Sequence, residues 1–372
     1  MRSSSSAYIP RLDHIRAVAM VLVLCWHSCH VNAVMPVDAT LPRFFALSIF
    51  DEGHTGVSLF LTLSGFIFAS LSHGRSIRYW PFIRNRLLRL LPLLFTWTII
   101  NFTFSTVTSE RLLANVLTGM GRSDFPGVGW TVLIEFQLYL VFPFFVRFTR
   151  DYGARYLIGV VAVALLLRTL VWITTRNVQF FSYWTVLGRV DEFVLGMLGA
   201  EAARRYGKQL GKIWVLVVVS LVWMLIMHGF NQLGGYYRSA TTVIGNPLWI
   251  YFPTLEGLFY AIIIASYLNL EVRGSRTLGR FFAFVGTLTY SFYLNHEMVV
   301  RACYTLLANA GINVTTPYRV VAVTAFVVFP ILLACSALTY YVIEFPFLAL
   351  RSPYATPLPS SAAALEGASR RT

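Results

Sequence analysis

Residues 129–147 of the chain read GWTVLIEFQLYLVFPFFVR, an apolar stretch that carries a single carboxylate, Glu135. A bilayer core needs about 20 mostly apolar residues in a helix, so this stretch is long enough to cross a membrane. On such a helix Glu135 would lie about 9 Å from Gly129, with Tyr139 one turn further along the same face. Ionisable groups inside membrane helices are costly and usually functional, which makes Glu135 a first candidate for a site.

The composition of the whole chain agrees with a membrane protein. Apolar residues make up 57% of the 372 residues and charged residues 12%, whereas soluble domains carry about 25% charged residues. This excludes a soluble enzyme, and the high hydrophobicity excludes a disordered chain. The net charge of +14 is expected of membrane proteins, which concentrate basic residues in cytoplasmic loops, so we expect no nucleic-acid partner.

Hydropathy predicts an all-α polytopic protein with ten membrane spans. The predicted spans are 15–35, 54–72, 90–108, 129–147, 156–175, 181–200, 212–229, 247–269, 281–307 and 318–343. Most of the 30 lysines and arginines fall in the termini and alternate loops on one side, which places both termini in the cytoplasm. We expect a membrane domain over residues 1–351 and a disordered cytoplasmic tail over residues 352–372, a segment rich in Pro, Ser and Ala.

Two histidines join Glu135 as candidates. Arg16 and His27 lie on one face of the first span, about 16 Å apart along its axis. The ninth span brings Tyr290 and His296 into the membrane. If the helices are straight, His27, Glu135 and His296 all lie in the outer half, where histidine and glutamate could transfer protons. The alternative for a lone membrane histidine is a structural hydrogen bond between helices.

Two arginine groups have competing interpretations. Arg84, Arg86 and Arg89 precede the third span, and arginine binds phosphate in a bidentate manner. They could hold a phosphate-rich nucleotide cofactor, or they could anchor the chain to anionic lipid headgroups. Arg189 and Glu192 are three residues apart on one helix and could simply pair with each other.

Seven motifs in this order resemble the acyltransferase 3 family of bacterial integral-membrane acyltransferases. They are Leu12 to Ala17 with Trp26-His27; Gly53 to Phe60 with Ser64-Gly65-Phe66; Arg86 to Arg89 with Pro92; Trp130 to Tyr139 with Phe142-Pro143; Arg189 and Glu192-Phe193 with Gly196-Met197; Tyr290 to His296; and Ile343 to Pro346. The resemblance covers residues 12 to 351. One departure is Ser58, where many members of the family carry an aspartate.

The resemblance implies transfer of an acyl group, often acetyl, from acyl-CoA to a carbohydrate hydroxyl. Acetyl-CoA would be the donor, no metal would be needed, and the enzyme would lie in the bacterial inner membrane. The acceptor would be a cell-surface or exported carbohydrate, free or lipid-linked, and membrane lipids would be the other partners. Neither the oligomeric state nor the acceptor sugar follows from the motifs.

The resemblance also suggests roles for the candidate residues. Arg16, Arg84, Arg86 and Arg89 would hold the CoA phosphates. His27 would be the general base, or the group that carries or activates the acyl thioester, and His296 would be a second catalytic candidate. Glu135 would orient or charge-pair with His27, or it could instead bind the acceptor. The substrate would be contacted by Tyr139, Arg189, Glu192 and Tyr290. A rival interpretation is a transporter or flippase for a lipid-linked glycan, and another is a non-catalytic scaffold.

Overall fold

The computed structural model describes residues 9–30, 45–104, 129–236, 245–271, 274–314 and 316–358. Apart from one pair of short strands, the regular structure of these residues is helical, so the predicted all-α class is confirmed. The elements are α1 (Pro10–His30), α2 (Ser48–Asp51), α3 (Thr55–Ser72), β1 (Arg75–Ile77), α4 (Tyr79–Phe104), α5 (Gly129–Tyr152), α6 (Ala154–Thr175), α7 (Gln179–Trp184), α8 (Val186–Leu210), α9 (Ile213–Gln232), α10 (Phe252–Asn269), α11 (Arg276–Thr287), α12 (Thr289–Asn309), α13 (Tyr318–Ala349) and β2 (Ala355–Pro357). Helix α13 contains two π-helical turns.

Six of the described helices are long and apolar enough to cross a membrane, namely α1, α3, α5, α6, α9 and α13. Three further predicted spans correspond to helices with fully buried ionisable groups, which are Glu192 in α8, Glu256 in α10 and His296 in α12. The one remaining predicted span, 90–108, overlaps α4. Residues 105–108 of that span and residues 31–35 of the first span lie outside the described part of the chain.

The outward faces of α6 and α9 are apolar. Ile158, Leu166 and Ile173 in α6 are exposed, as are Val218 and Leu225 in α9. Soluble monomers rarely expose apolar patches of this extent. These faces are therefore suited to contact lipid tails, which agrees with a membrane protein.

Inside the bundle, α3 and α8 cross with their backbones in contact. A Cβ atom on Gly65 would lie 1.9 Å from the carbonyl oxygen of Phe193, and one on Gly196 would lie 1.9 Å from that of Thr62. Small residues allow membrane helices to approach this closely. Two of the motifs in the sequence, around Ser64 to Phe66 and around Gly196, are therefore the two sides of one helix crossing.

The ninth predicted span, 281–307, is wrong as one straight helix. The structure divides it at Leu288, between α11 and α12. Gly286 lies against α1, where a Cβ atom would meet the carbonyl oxygen of Asp13 at 2.0 Å. Close packing of α11 on α1 thus accompanies the break, and a depth for His296 measured along a straight helix no longer applies.

The predicted disorder of residues from Ser352 onwards is wrong for the first part of that tail. Strand β2 pairs antiparallel with β1, with Ile77 opposite Ala355. Asn85 in α4 donates its side-chain N–H to the carbonyl oxygen of Ser352 at 2.6 Å and accepts the Ser352 N–H at 3.1 Å. These backbone and side-chain bonds hold residues 351–358, called the C-terminal strap below, against the bundle. Residues 359–372 lie outside the described part of the chain.

Candidate active site

A cavity of about 660 Å³ lies between α1, α3, α4, α5, α12, α13 and the C-terminal strap. Its volume is in the range of small-molecule and cofactor sites. Six of the predicted site residues line it directly, namely Arg16, Arg86, Arg89, Glu135, Tyr139 and Tyr290. The motifs that are far apart in sequence therefore meet around one space.

One end of the cavity is basic and aromatic. The Arg86 guanidinium lies 5.0 Å from the centroid of the Phe68 ring and 5.9 Å from those of Tyr139 and Tyr354. Arginine stacks favourably on aromatic faces, which holds Arg86 in place without a carboxylate. Its Nε is buried and has no hydrogen-bond partner among the described residues, so this donor is available to a ligand.

Arg16, at the same cavity, is an ion-paired arginine. It pairs with Asp13 one turn earlier in α1. Asp13 is itself buried, and a buried carboxylate needs a partner to offset its desolvation. Arg16 therefore brings less free positive charge to the cavity than Arg86.

The structure does not bring Arg84 to the cavity with Arg86 and Arg89. Arg84 is exposed and is not among the residues that line the cavity. Successive helix residues are about 100° apart, so Arg84 and Arg86 point to different sides of α4. Arg84 instead approaches the Ser352 hydroxyl of the strap at 3.5 Å.

Glu135 has different partners from those predicted. Its Oε1 accepts hydrogen bonds from the Ser64 hydroxyl at 3.1 Å and from the Tyr139 hydroxyl. No hydrogen bond or ion pair joins it to His27 within the described ranges. The structure therefore does not bring Glu135 and His27 into contact, and α3 and the following turn of α5 supply the donors to Glu135.

The opposite end of the cavity is marked by Thr131 and Tyr293. The Thr131 hydroxyl donates to the Tyr293 hydroxyl at 2.7 Å, and both residues line the cavity. Thr131 and Tyr139 are eight residues apart on α5, which is about 12 Å along the axis. The cavity is thus long enough to hold an anionic group at one end and a reacting group at the other.

The two predicted catalytic histidines lie in contact behind Tyr293. The ring centroids of His27 and His296 are 4.5 Å apart, and that of His296 is 5.3 Å from the Tyr293 ring. His27 comes from α1 and His296 from α12, so the bundle unites residues 269 positions apart in the chain. Neither histidine is among the cavity-lining residues, and Tyr293 stands between the space and His296.

The hydrogen bond of His296 identifies the ring nitrogen that carries a proton. Nδ1 of His296 lies 2.5 Å from the carbonyl oxygen of Tyr293. A carbonyl oxygen only accepts, so Nδ1 carries a proton, and Nε2 is the nitrogen that has a free lone pair when the ring is neutral. Nε2 is buried and has no hydrogen-bond partner in the described part of the chain. A histidine in this state is able to accept a proton.

Arg189 and Glu192 do not line the cavity. Both are fully buried, and the Arg189 guanidinium donates to both carboxylate oxygens of Glu192 at 3.0 and 3.1 Å. Arg189 also donates to the Ser58 hydroxyl at 3.1 Å. The structure agrees with the pairing interpretation and places both residues outside the lining of this cavity. Ser58 therefore lies in this buried network.

The sequence did not indicate three further cavity residues as ligand-binding. Glu344 accepts from the Ser291 hydroxyl at 3.0 Å, and Arg351 and Tyr354 come from the strap. Glu344 belongs to one of the motifs, which was a usable signal. Arg351 follows the last helix and resembles any other basic residue beside a membrane span. Among the described residues, no cluster of three or more His, Cys, Asp or Glu could hold a metal ion.

Comparison with known proteins agrees with this arrangement. Residues 9–340 match the family described as an acyltransferase domain. The chain belongs to this acyltransferase 3 family. It is also similar to the exopolysaccharide production protein ExoZ of Rhizobium meliloti, with 24% identity over 280 residues that cover 71% of this chain and 81% of ExoZ. No solved structure matches the chain.

Proposed function

We propose that the protein is an integral-membrane O-acetyltransferase that moves an acetyl group from acetyl-CoA to a hydroxyl of an exported carbohydrate. Family membership supports acyl transfer. The similarity to a protein named for exopolysaccharide production supports a carbohydrate acceptor. The acceptor is a glycan that is exported or lipid-linked at the inner membrane.

The observation that carries this proposal is that one cavity has arginines at one end and, at the other end, Tyr293, whose ring contacts His296. Arg16, Arg86 and Arg89 bind the phosphates of CoA, because guanidinium groups form charge-assisted hydrogen bonds to phosphate oxygens. Apolar side chains of α3, such as Phe60 and Leu63, line the wall between the ends. The pantetheine arm extends along this wall and delivers the thioester towards Thr131 and Tyr293.

The histidine pair carries the proton transfer. The acceptor hydroxyl oxygen forms a bond to the thioester carbonyl carbon while its proton passes to the imidazole pair formed by His27 and His296. Collapse of the tetrahedral intermediate breaks the carbon–sulfur bond, and the CoA sulfur leaves and takes up the proton. His27 is the general base, and Nε2 of His296 is the neighbouring site that can accept the proton from it. General base catalysis of this kind contributes about 10²- to 10⁴-fold.

The membrane arrangement belongs to the same proposal. Ten spans with both termini in the cytoplasm place Arg86 and Arg89 at the cytoplasmic side, where acyl-CoA is made. The mixed exposure of the helices is consistent with this, since α6 and α9 present apolar faces outwards while the ionisable groups of α8, α10 and α12 lie inside the bundle.

The test is transfer of radiolabelled acetyl from acetyl-CoA to glycan in membranes of a strain that expresses the protein. Wild type is compared with His27→Ala and His296→Gln at matched expression. We expect at least a hundredfold loss of transfer in His27→Ala with CoA affinity retained within threefold. Full transfer by His27→Ala would overturn its role. Glycan export without any labelled product would favour the transporter. Loss of function in the histidine variants only in proportion to their loss of folded protein would favour the scaffold.

A further inference from the structure

Arg351 is a second arginine with unused donors at the basic end of the cavity. It lines the cavity together with Arg86 and Arg89. Its Nε and Nη2 atoms are buried and have no hydrogen-bond partner among the described residues. Buried donors without a partner are costly, and such groups call for a ligand or water.

The C-terminal strap fixes the position of Arg351. Ser352, the next residue, exchanges two hydrogen bonds with Asn85. Arg78 donates to the carbonyl oxygen of Pro353 at 2.6 Å. The Tyr354 ring packs on Phe82, with ring centroids 5.3 Å apart. Arg351 is thus held from one side by helix α13 and from the other by a paired strand.

The surroundings of Arg351 are electrostatically unfavourable for a guanidinium. Burial and repulsion by Arg89 and Arg86 lower the pKa of Arg351 to about 9, while Glu344 offsets only part of this. The group still carries its charge at neutral pH. No described carboxylate forms an ion pair with Arg351 or with Arg86. An anion between the two arginines would relieve the repulsion and occupy their free donors.

We propose that Arg351 binds a phosphate group of the acyl donor, opposite Arg86, and that the C-terminal strap is the element that places it there. This inference rests on the proposed function, which supplies a phosphate-bearing donor. The free Nε and Nη2 of Arg351 and the free Nε of Arg86 are the donors for the phosphate oxygens. Arg351 takes the place in this group that the sequence suggested for Arg84.

The experiment measures CoA binding by calorimetry with the full-length protein in neutral detergent. The variants are Arg351→Gln, Arg351→Lys and the control Arg155→Gln, which removes an exposed arginine that donates to the nearby Tyr152 carbonyl. A lost charged hydrogen bond predicts about ten- to hundredfold weaker CoA binding in Arg351→Gln. Arg351→Lys keeps the positive charge but lacks the planar guanidinium that can donate two hydrogen bonds to one phosphate, so its CoA affinity is expected to fall about threefold or more. Arg155→Gln is expected to match wild type.

The outcomes separate this inference from the proposed function. CoA affinity of Arg351→Gln within twofold of wild type overturns the inference, as does an equal loss in Arg155→Gln or a wild type that binds no CoA. If Arg351→Gln does not fold, Arg351→Lys decides, and wild-type affinity in that variant overturns the inference. CoA binding that depends on Arg351, without any acetyl transfer, supports the inference and contradicts the proposed function.

Phosphate at this site could come from a lipid headgroup instead of CoA, so a second arm uses anionic lipid. The same titrations are repeated in nanodiscs that contain phosphatidylglycerol. A CoA site predicts that the difference between wild type and Arg351→Gln persists at matched ionic strength. If Arg351→Gln reduces retention of phosphatidylglycerol and leaves CoA affinity unchanged, Arg351 is a lipid contact and the inference is wrong.

Discussion

Two groups of arginines lie inside this helical bundle, and they differ in their partners. Arg168 pairs with Asp191, and Arg189 pairs with Glu192, with all four side chains fully buried. Arg86 and Arg351 line the cavity and form no ion pair with a described carboxylate. Arg86 stacks on aromatic rings, and Arg351 is the first residue of the strap. In the first group the charge of each arginine is paired with a carboxylate of the protein, although Arg168 Nε and Arg189 Nη2 have no hydrogen-bond partner among the described residues. The second group has unused donors as well, but no described carboxylate pairs with its charge.

The comparison shows how charge inside a membrane protein can be assigned to structure or to ligand binding. A buried ion pair roughly balances its desolvation cost, so removing one partner is far more damaging than removing both. Replacing Arg86, which stacks on Phe68 and Phe82, leaves no described carboxylate without its ion-pair partner. Replacing an arginine of the paired group should therefore lower the free energy of unfolding more than replacing one of the cavity group. Replacing an arginine of the cavity group should lower the affinity for CoA more.

The largest expected effect is on the paired group. Arg189→Met leaves the Glu192 carboxylate buried without its partner, which predicts a loss of about 3–5 kcal/mol in the free energy of unfolding. The double variant Arg189→Met with Glu192→Leu should recover most of that loss. Unfolding curves in detergent for both single variants and the double variant give the coupling. A single variant that loses less than about 1 kcal/mol would contradict the assignment of a structural pair.

The cavity group should respond in binding. Arg86→Gln removes a charged donor for phosphate, so we expect CoA affinity to fall about ten- to hundredfold. The unfolding free energy should change much less than in Arg189→Met, because no carboxylate loses its partner. Calorimetric titration and unfolding of the same preparation measure both quantities, with Arg155→Gln as the control. If Arg86→Gln were severely destabilised and its folded fraction bound CoA with normal affinity, Arg86 would be a structural residue and not a CoA ligand.

Ligand stabilisation should distinguish the groups as well. CoA at a hundred times its Kd should add about 2.7 kcal/mol to the unfolding free energy of the wild type. At the same CoA concentration, an Arg86→Gln variant with tenfold weaker binding should gain only about 1.4 kcal/mol. Thermal unfolding with and without CoA gives these values. An equal gain in both proteins would show that CoA does not contact Arg86.

The smallest effect is expected for exposed ion pairs. Arg205 pairs with Glu201 on the exposed end of α8, where 68% of the Arg205 side chain is accessible. Exposed pairs are usually worth 0 to about 1 kcal/mol, so Arg205→Gln should change stability by less than that. The pKa of Glu201 is lowered by its hydrogen bonds to Arg204 and Arg205, and acid titration followed by unfolding would report any contribution. If Arg205→Gln lost as much unfolding free energy as Arg189→Met, burial of an ion pair would not determine how much the pair contributes to stability.

Much of this architecture is predictable from hydropathy and motif order. The apolar runs gave the all-α class, and the motifs around Arg16, Arg86, Glu135 and Tyr290 converge on one cavity. Intramembrane ionisable residues are rare enough that each is a candidate on its own, which is why His27 and His296 could be selected before their contact was known.

Other features depend on long-range packing, which a linear pattern does not contain. Which face of α4 meets the cavity decides between Arg84 and Arg86, and this depends on how α4 packs on the strap. The break at Leu288 accompanies the contact of Gly286 with Asp13 in a different helix. The strap is ordered because Asn85 and β1 bind it, although its composition is typical of a disordered tail.

The most direct test of the central claim is a cryo-electron microscopy structure of the full-length protein with bound CoA. The account predicts CoA in the described cavity, with phosphate oxygens about 2.7–3.2 Å from guanidinium nitrogens of Arg86 and Arg351. Its sulfur should lie at the Tyr293 end, beside the contact of His27 and His296. CoA phosphates bound at Arg75 and Arg78 with the cavity empty, or a sulfur remote from Tyr293, would contradict it.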